Sequence, residues 1–238
     1  MDKFFGMLHE VGWYEPLKDM WHSEELTKIA KYLTLSRKSC NIFPNQYEVF
    51  KALRLCPYDS VKVVILGQDP YPSEAANGLA FALRNGSKMT PSLRNIFKEI
   101  EYDLKVDMDG ASTDLTGWAN QGVLLLNSVL TVEGGKPGSH SRIGWQSITD
   151  QIIQNISKRQ QKQVFMLWGN HAQEKIPFIP RNKYNNIMIG SHPAAYAAKG
   201  FFGQRYFSEC NNFLNTEIDW TKTSLVEDSV YDIFTGHE

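Results

Sequence analysis

The amino-acid sequence predicts an α/β fold: a single-domain three-layer sandwich in which a central four-stranded parallel sheet carries helices on both faces. Three observations predict it. Four short apolar runs, Val61–Leu66, Gly122–Leu126, Gln163–Trp168 and Asn186–Gly190, have the length of buried strands rather than of helices. Segments with a helical pattern separate them, as parallel pairing requires of its crossovers. At 238 residues and 42% hydrophobic content, the chain can bury a substantial core in one unit.

Ahead of the first strand, Glu24–Leu33 and Gln46–Leu53 read as helices. Between the first two strands, Ser92–Leu104 places Leu93, Ile96, Phe97, Ile100 and Leu104 on one face, near the 3.6-residue period. Ser147–Ile156 does the same with Ile148, Ile152, Ile153 and Ile156, and Arg205–Leu214 closes the chain as a further helix. Residues 1–220 are expected to form the folded domain and 221–238 an acidic tail.

Composition narrows the function classes. The formal net charge of −1 does not by itself suggest a nucleic-acid partner, but charge is unevenly spread. Glu217–Glu238 holds six acids and one base, which leaves 24 bases against 20 acids in residues 1–216, enough to permit a local basic groove. Cys40, Cys56 and Cys210 are scattered and without Cys-x-x-Cys spacing, so neither a disulfide framework nor a zinc or iron–sulfur site is expected, and all three read as buried inert thiols. Met1–Leu17 is interrupted by Asp2, Lys3, His9, Glu10 and Glu15, unlike a secretory signal, and no apolar run is long enough for a bilayer. A cytoplasmic protein is expected, or a nuclear one in a eukaryotic or viral setting.

Each predicted strand runs into polar residues. The first meets Gln68-Asp69, the second Asn127, the third Gly169-Asn170-His171 and the fourth Ser191-His192. Ligands of open α/β sheets sit outside the carboxyl ends of the strands, so an acid, an amide and two imidazoles converging there suggest a site. The loop Gly67-Gln68-Asp69-Pro70-Tyr71-Pro72 holds its carboxylate stiffly between glycine and two prolines. Taken alone, Asp-Pro-Tyr-Pro is also ordinary turn punctuation.

With Gly67–Tyr71 stand five further blocks: Gly78-Leu79-Ala80-Phe81, Pro91-Ser92-Leu93-Arg94-Asn95, Gly122–Asn127, Leu167-Trp168-Gly169-Asn170-His171-Ala172-Gln173, and Ser191-His192-Pro193 followed by Gly200-Phe201-Phe202-Gly203. Together, in this order, they resemble the uracil-DNA glycosylase family, as a divergent member, over nearly the whole chain. The resemblance implies a DNA repair enzyme of base excision repair that flips uracil out of DNA and hydrolyses its N-glycosidic bond, leaving an abasic site.

In that chemistry the sugar becomes cationic while uracil leaves as an anion, so an anion near the sugar and hydrogen-bond donors around the base are needed. One acid suffices, because the uracil anion is delocalised. By resemblance, Asp69 orients water and stabilises the sugar, and His192 donates to uracil O2. The backbone N–H of Gln68, with that of Asp69, meets a uracil carbonyl. Asn127 accepts from uracil N3–H and donates to O4, a pattern that cytosine reverses. Phe81 stacks on the base, and Tyr71 fills the space of a thymine methyl. Pro91, Ser92, Ala194, Tyr196 and Lys199 form the DNA-facing set, with Arg84, Lys88, Arg94, Lys136, Arg142 and Arg205 as further cations near that face. Ser92 reads equally as the cap of its helix. No metal or cofactor is implied, since His171 and His192 lack companion ligands. Expected partners are single- or double-stranded uracil-containing DNA and a proteinaceous DNA-mimic inhibitor, with the enzyme a monomer.

The chain departs from the family's pattern twice. Its first motif ends in Pro72 where the family usually has His, which removes a donor. The loop after His192 reads Pro193-Ala194-Ala195-Tyr196-Ala197-Ala198-Lys199, shorter by one residue and without the usual serine at Ala194. Tyr196 is then the candidate wedge, a packing role being the alternative. These changes point to an enzyme slower or weaker in binding. A DNA-binding replication accessory protein on the same fold, and a glycosylase of another base specificity or a free-nucleoside hydrolase, are the rival readings.

Overall fold

A computed structural model describes residues 2–194 and 198–225. The helices are α1 (Asp2–Glu10), α2 (Lys18–Trp21), α3 (Glu24–Ser36), α4 (Lys51–Leu55), α5 (Pro91–Leu104), α6 (Thr116–Asn120), α7 (Trp145–Ser157), α8 (Asn170–Gln173) and α9 (Tyr206–Leu214). The strands are β1 (Ile42–Phe43), β2 (Val63–Gly67), β3 (Val123–Asn127), β4 (Val132–Glu133), β5 (Gln163–Trp168) and β6 (Asn185–Gly190). The main sheet is parallel in the order β3-β2-β5-β6, and β1 with β4 makes a small antiparallel pair.

The four-stranded parallel sheet with helices packed around it agrees with the architecture expected from the sequence. Every residue of β2, β3 and β5 is buried, which is why these strands read as unbroken apolar runs rather than alternating ones. The helices α4 and α6 pack on β3, α8 and α9 on β5, α5 on α9 and α3 on α7. Edge strand β6 is only partly covered, and Ile189 is exposed.

Boundaries differ where local hydrogen bonding competes with the apolar pattern. The first strand starts at Val63, since Val61 N–H closes the turn Tyr58–Ser60 by donating to the Tyr58 carbonyl. The segment expected as one helix over Gln46–Leu53 is a 3₁₀ turn, Gln46–Glu48, capped by the Asn45 side chain, followed by α4. Thr90, not Ser92, caps α5: its Oγ1 accepts from Leu93 N–H, and Pro91 takes the first helical position, where a missing N–H has no cost.

Buried carboxylates fasten the far end of the chain. Glu99 is fully buried on α5 and accepts from the N–H groups of Gly203 and Arg205, while Asp103 accepts from Phe207 and Ser208 N–H at the start of α9. The acceptors satisfy helix-end donors that would otherwise be orphaned. Above them Trp168 meets Phe201 edge-on at 5.1 Å and Phe81 at 5.8 Å. Packing continues beyond Trp220: Thr223 is buried and its carbonyl accepts from Gly117 N–H. Residues 226–238, most of the acidic tail, lie outside the described residues. No helix among the described residues is long and apolar enough to cross a membrane.

Cys56 and Cys210 are buried as expected, and burial pushes both thiols up to about 12. Cys40 is instead half-exposed, because it lies past α3 in the turn leading to β1. A chromogenic thiol reagent at neutral pH should therefore titrate Cys40 alone in the native protein and all three cysteines in denaturant.

Candidate active site

The parallel register brings β2 and β3 to an end side by side, with Gly67 paired to Asn127. A Cβ on Gly67 would run into Asn127 Oδ1 and touch Ala80, so glycine here is what lets the amide lie across the strand end. Asn127 is buried, yet its side chain has no hydrogen-bond partner among the described residues. Buried amides are normally satisfied by protein or ordered water, and an unpartnered one opening at a strand end fits a ligand.

Phe81 lies next to Ala80 in a buried strap that crosses the sheet edge. Ala80 N–H donates to the Leu125 carbonyl, and Asn77 holds both Leu79 N–H and the Asp114 carbonyl. Phe81 itself has φ +63°, a left-handed conformation that strains a bulky residue and persists only where its surroundings enforce it. The ring sits edge-on to Trp168 and 5.9 Å from the His192 ring.

The carboxylate comes from the loop after β2. Asp69 Oδ2 accepts from Gly138 N–H at 2.8 Å, and the Gly67 and Gln68 carbonyls accept from Ser128 and Val129 N–H. The backbone N–H groups of Gln68 and Asp69 have no acceptor among the described residues. Pro72 lacks a donor, but its carbonyl accepts from Gly135 N–H, tying the same loop to the turn after β4. The Tyr71 hydroxyl bonds Thr90 Oγ1 at 2.8 Å, which sets its ring against the start of α5, and burial raises its pKa.

His192 follows β6, and its Nδ1 accepts from Ala194 N–H at 3.1 Å. An Nδ1 that accepts leaves the proton of the neutral ring on Nε2, as a donor. Burial first, and then the His171 imidazole, lower the His192 pKa below its ordinary value of 6.5. Asn95 of α5 donates to the Pro193 carbonyl at 2.8 Å and pins this loop. Gly169 makes the approach possible, since a Cβ there would lie 2.9 Å from His192 Cβ.

Asp69, Gln68, Tyr71, Phe81, Asn127 and His192 thus gather at one edge of the sheet. Pro91 and Ser92 stand at the start of α5, exposed and half-buried, and the Ser92 hydroxyl has no partner among the described residues. Ala194 is half-buried beside His192, Lys199 is exposed, and Tyr196 lies outside the described residues. Of the expected DNA-facing cations, Arg84 is paired with Glu48, Lys136 with Glu133 and Arg205 with Glu209. Lys88, Arg94, Arg142 and Lys199 are exposed and form no ion pair among the described residues. No group of three His, Cys, Asp or Glu side chains suited to a metal occurs among those residues.

Sequence reasoning passed over Gly138, Thr90 and Asn95, which hold Asp69, Tyr71 and the His192 loop. Gly138 ends the turn-rich stretch Gly134-Gly135-Lys136-Pro137-Gly138, and Thr90 and Asn95 flank or end the block around Ser92, but none of the three shows locally what it would hold.

Comparison with known proteins adds the following. The family model of the uracil DNA glycosylase superfamily matches residues 53–215. The uracil-DNA glycosylase of Campylobacter fetus subsp. fetus is 44% identical over 216 residues, 89% of this chain and 92% of that protein. That of Amoebophilus asiaticus is 45% identical over 217 residues, 88% and 97% of the two chains. Among solved structures, mimivirus uracil-DNA glycosylase superposes with a TM-score of 0.77 at 25% identity, covering 85% of this chain and 82% of the other.

The lowered His192 pKa has a defined sign. Below pH 6.5 the unfolded chain takes up a proton at this ring before the folded one does, so His192 costs stability as pH falls through that window and nothing above it. An NMR titration of the ring protons should give a midpoint below 6.5, and His192→Ala should flatten that part of the stability profile.

Proposed function

The chain belongs to the uracil-DNA glycosylase superfamily, and from that membership we infer that it hydrolyses the N-glycosidic bond of deoxyuridine in DNA, releasing uracil and leaving an abasic site in base excision repair. The observation that carries the residue assignment is the buried, unpartnered Asn127 amide, which shares its strand edge with a left-handed Phe81, a neutral His192 and Asp69.

In this reading the deoxyuridine is flipped between the Phe81 ring and the Gly67–Tyr71 loop. Asn127 pairs with N3–H and O4, and cytosine would leave the same buried amide mispaired. The unpaired N–H groups of Gln68 and Asp69 and the Nε2–H of His192 meet the uracil carbonyls, where negative charge gathers as the bond breaks. A neutral donor suits this, because it is set before charge develops and needs no change of protonation. Gly138 occupies one oxygen of Asp69, which leaves the other for the attacking water and the cationic sugar. Tyr71, held by Thr90, stands where a thymine methyl would clash. Ser92, beside Pro91, and Lys199 contact the phosphates, Ala194 lies against that face with its N–H held by His192, and Tyr196 is the wedge.

An accessory protein that only binds DNA has no need of a strained Phe81 or of an amide left free of protein partners at the strand end. All these groups come from one chain, which supports action as a monomer on single- or double-stranded DNA. A proteinaceous DNA-mimic inhibitor would compete for the same edge, and the similarity to bacterial enzymes supports a cytoplasmic site of action.

Folded protein should release free uracil from a labelled single-stranded oligonucleotide, and failure to do so would overturn the reading. Asp69→Asn should slow single-turnover release by about 10²-fold or more with the urea midpoint unchanged. Tyr71→Ala should gain measurable thymine excision; a variant that still rejects thymine would move the methyl block to another residue.

A further inference from the structure

Beside Asp69 lies a cavity of about 50 Å³ that shares only Gln68 and Asp69 with the base-facing set. Its wall includes Gln68, Asp69, Ser128, Gln146, His171 and Lys175, and none of Tyr71, Phe81, Asn127 or His192. Ser128 is 4% exposed, and its hydroxyl has no hydrogen-bond partner among the described residues. Lys175 is buried too, and its ammonium, with three protons to donate, lies 2.8 Å from the Asp150 carboxylate as its one ion-pair partner among those residues. Buried polar groups that lack protein partners take ordered water, and a cavity of this size has room for it. Gln146 and His171 are exposed, so the cavity opens to solvent on that side.

A flipped base fills the front of the site and shuts out water there. Pro72 also offers no donor to hold a water from its side of the loop. We propose that the cavity beside Asp69 is the entry and holding site of the hydrolytic water, with Ser128 as its positioning residue. The C1′–N1 bond breaks with its electron pair leaving on uracil, and the oxygen of a cavity water bonds to C1′. The proton released passes to the free oxygen of Asp69 and out through the remaining water to bulk solvent, where it balances the uracil anion. The proposal rests on the glycosylase reading above.

The test compares single-turnover uracil release and KM on a short single-stranded uracil oligonucleotide. Ser128→Val, which removes the hydroxyl and fills the cavity, and Gln146→Phe, which covers the exposed mouth, should each slow release by about tenfold or more with KM little changed. Ser128→Thr, which keeps the hydroxyl, should retain most of the wild-type rate. Wild-type rates in both Ser128→Val and Gln146→Phe, beside an inactive Asp69→Asn, would overturn the cavity proposal and leave the glycosylase reading standing. A Thr variant as slow as the Val variant would overturn the role of the hydroxyl. If Ser128→Val does not fold, Gln146→Phe on the exposed rim decides alone. No release by the wild type would remove the reading on which the proposal rests.

Discussion

The close pairing of Gly67 with Asn127 at the shared end of β2 and β3 is the constraint on which the rest of the site depends. Parallel strands in register end together, so whatever follows each of them is delivered to one edge. A side chain at position 67 would displace the amide, and with it the base reading proposed for Asn127. The strap bearing Phe81 obeys the same constraint, because it hangs on the Leu125 carbonyl of β3 and its Ala80 packs against Gly67. One sheet edge therefore fixes the base reader, the stacking ring and the start of the carboxylate loop with little freedom among them.

The energetic costs of this arrangement are borne by structure outside it. A left-handed phenylalanine is unfavourable on its own, by roughly 1–3 kcal/mol. It persists because the strap is tied to Leu125 and through Asn77 to Asp114, and because its ring packs on Trp168, which in turn packs on Phe201, Tyr206 and Phe207. Glu99 and Asp103 do the corresponding work for the last segment of the chain, by accepting backbone N–H groups that the turn before α9 would leave unpaired. Strain collects where the proposed chemistry occurs, and ordinary satisfied packing surrounds it.

Electrostatics divide the site into a negative and a neutral side. Asp69 supplies the charge, tempered by one backbone donor. The proposed donor to the base, His192, is uncharged, its tautomer set by Ala194 N–H and its pKa depressed by burial and by His171. Such a division matches a reaction that builds a cation at the sugar and an anion on the base.

The sequence by itself determined the four strands of the main sheet, the long helices α5 and α7 between them and the polar residues that end each strand, because these depend on local periodicity and chain direction, whereas the short α6, α8, β1 and β4 carry too few residues to show a period. It also put Asp69, Phe81, Asn127 and His192 forward together, since their blocks stand in a recognisable order. The tertiary structure decided what holds them. Gly138 reaches Asp69 across 69 residues of chain and Asn95 reaches Pro193 across 98, and no local pattern encodes such contacts. The same is true of the His192 tautomer, the left-handed turn at Phe81 and the cap at Thr90, where the apolar period pointed to Ser92. Each turns on which backbone donor or carbonyl lies within reach once the sheet has closed, and that is a property of packing rather than of neighbouring residues.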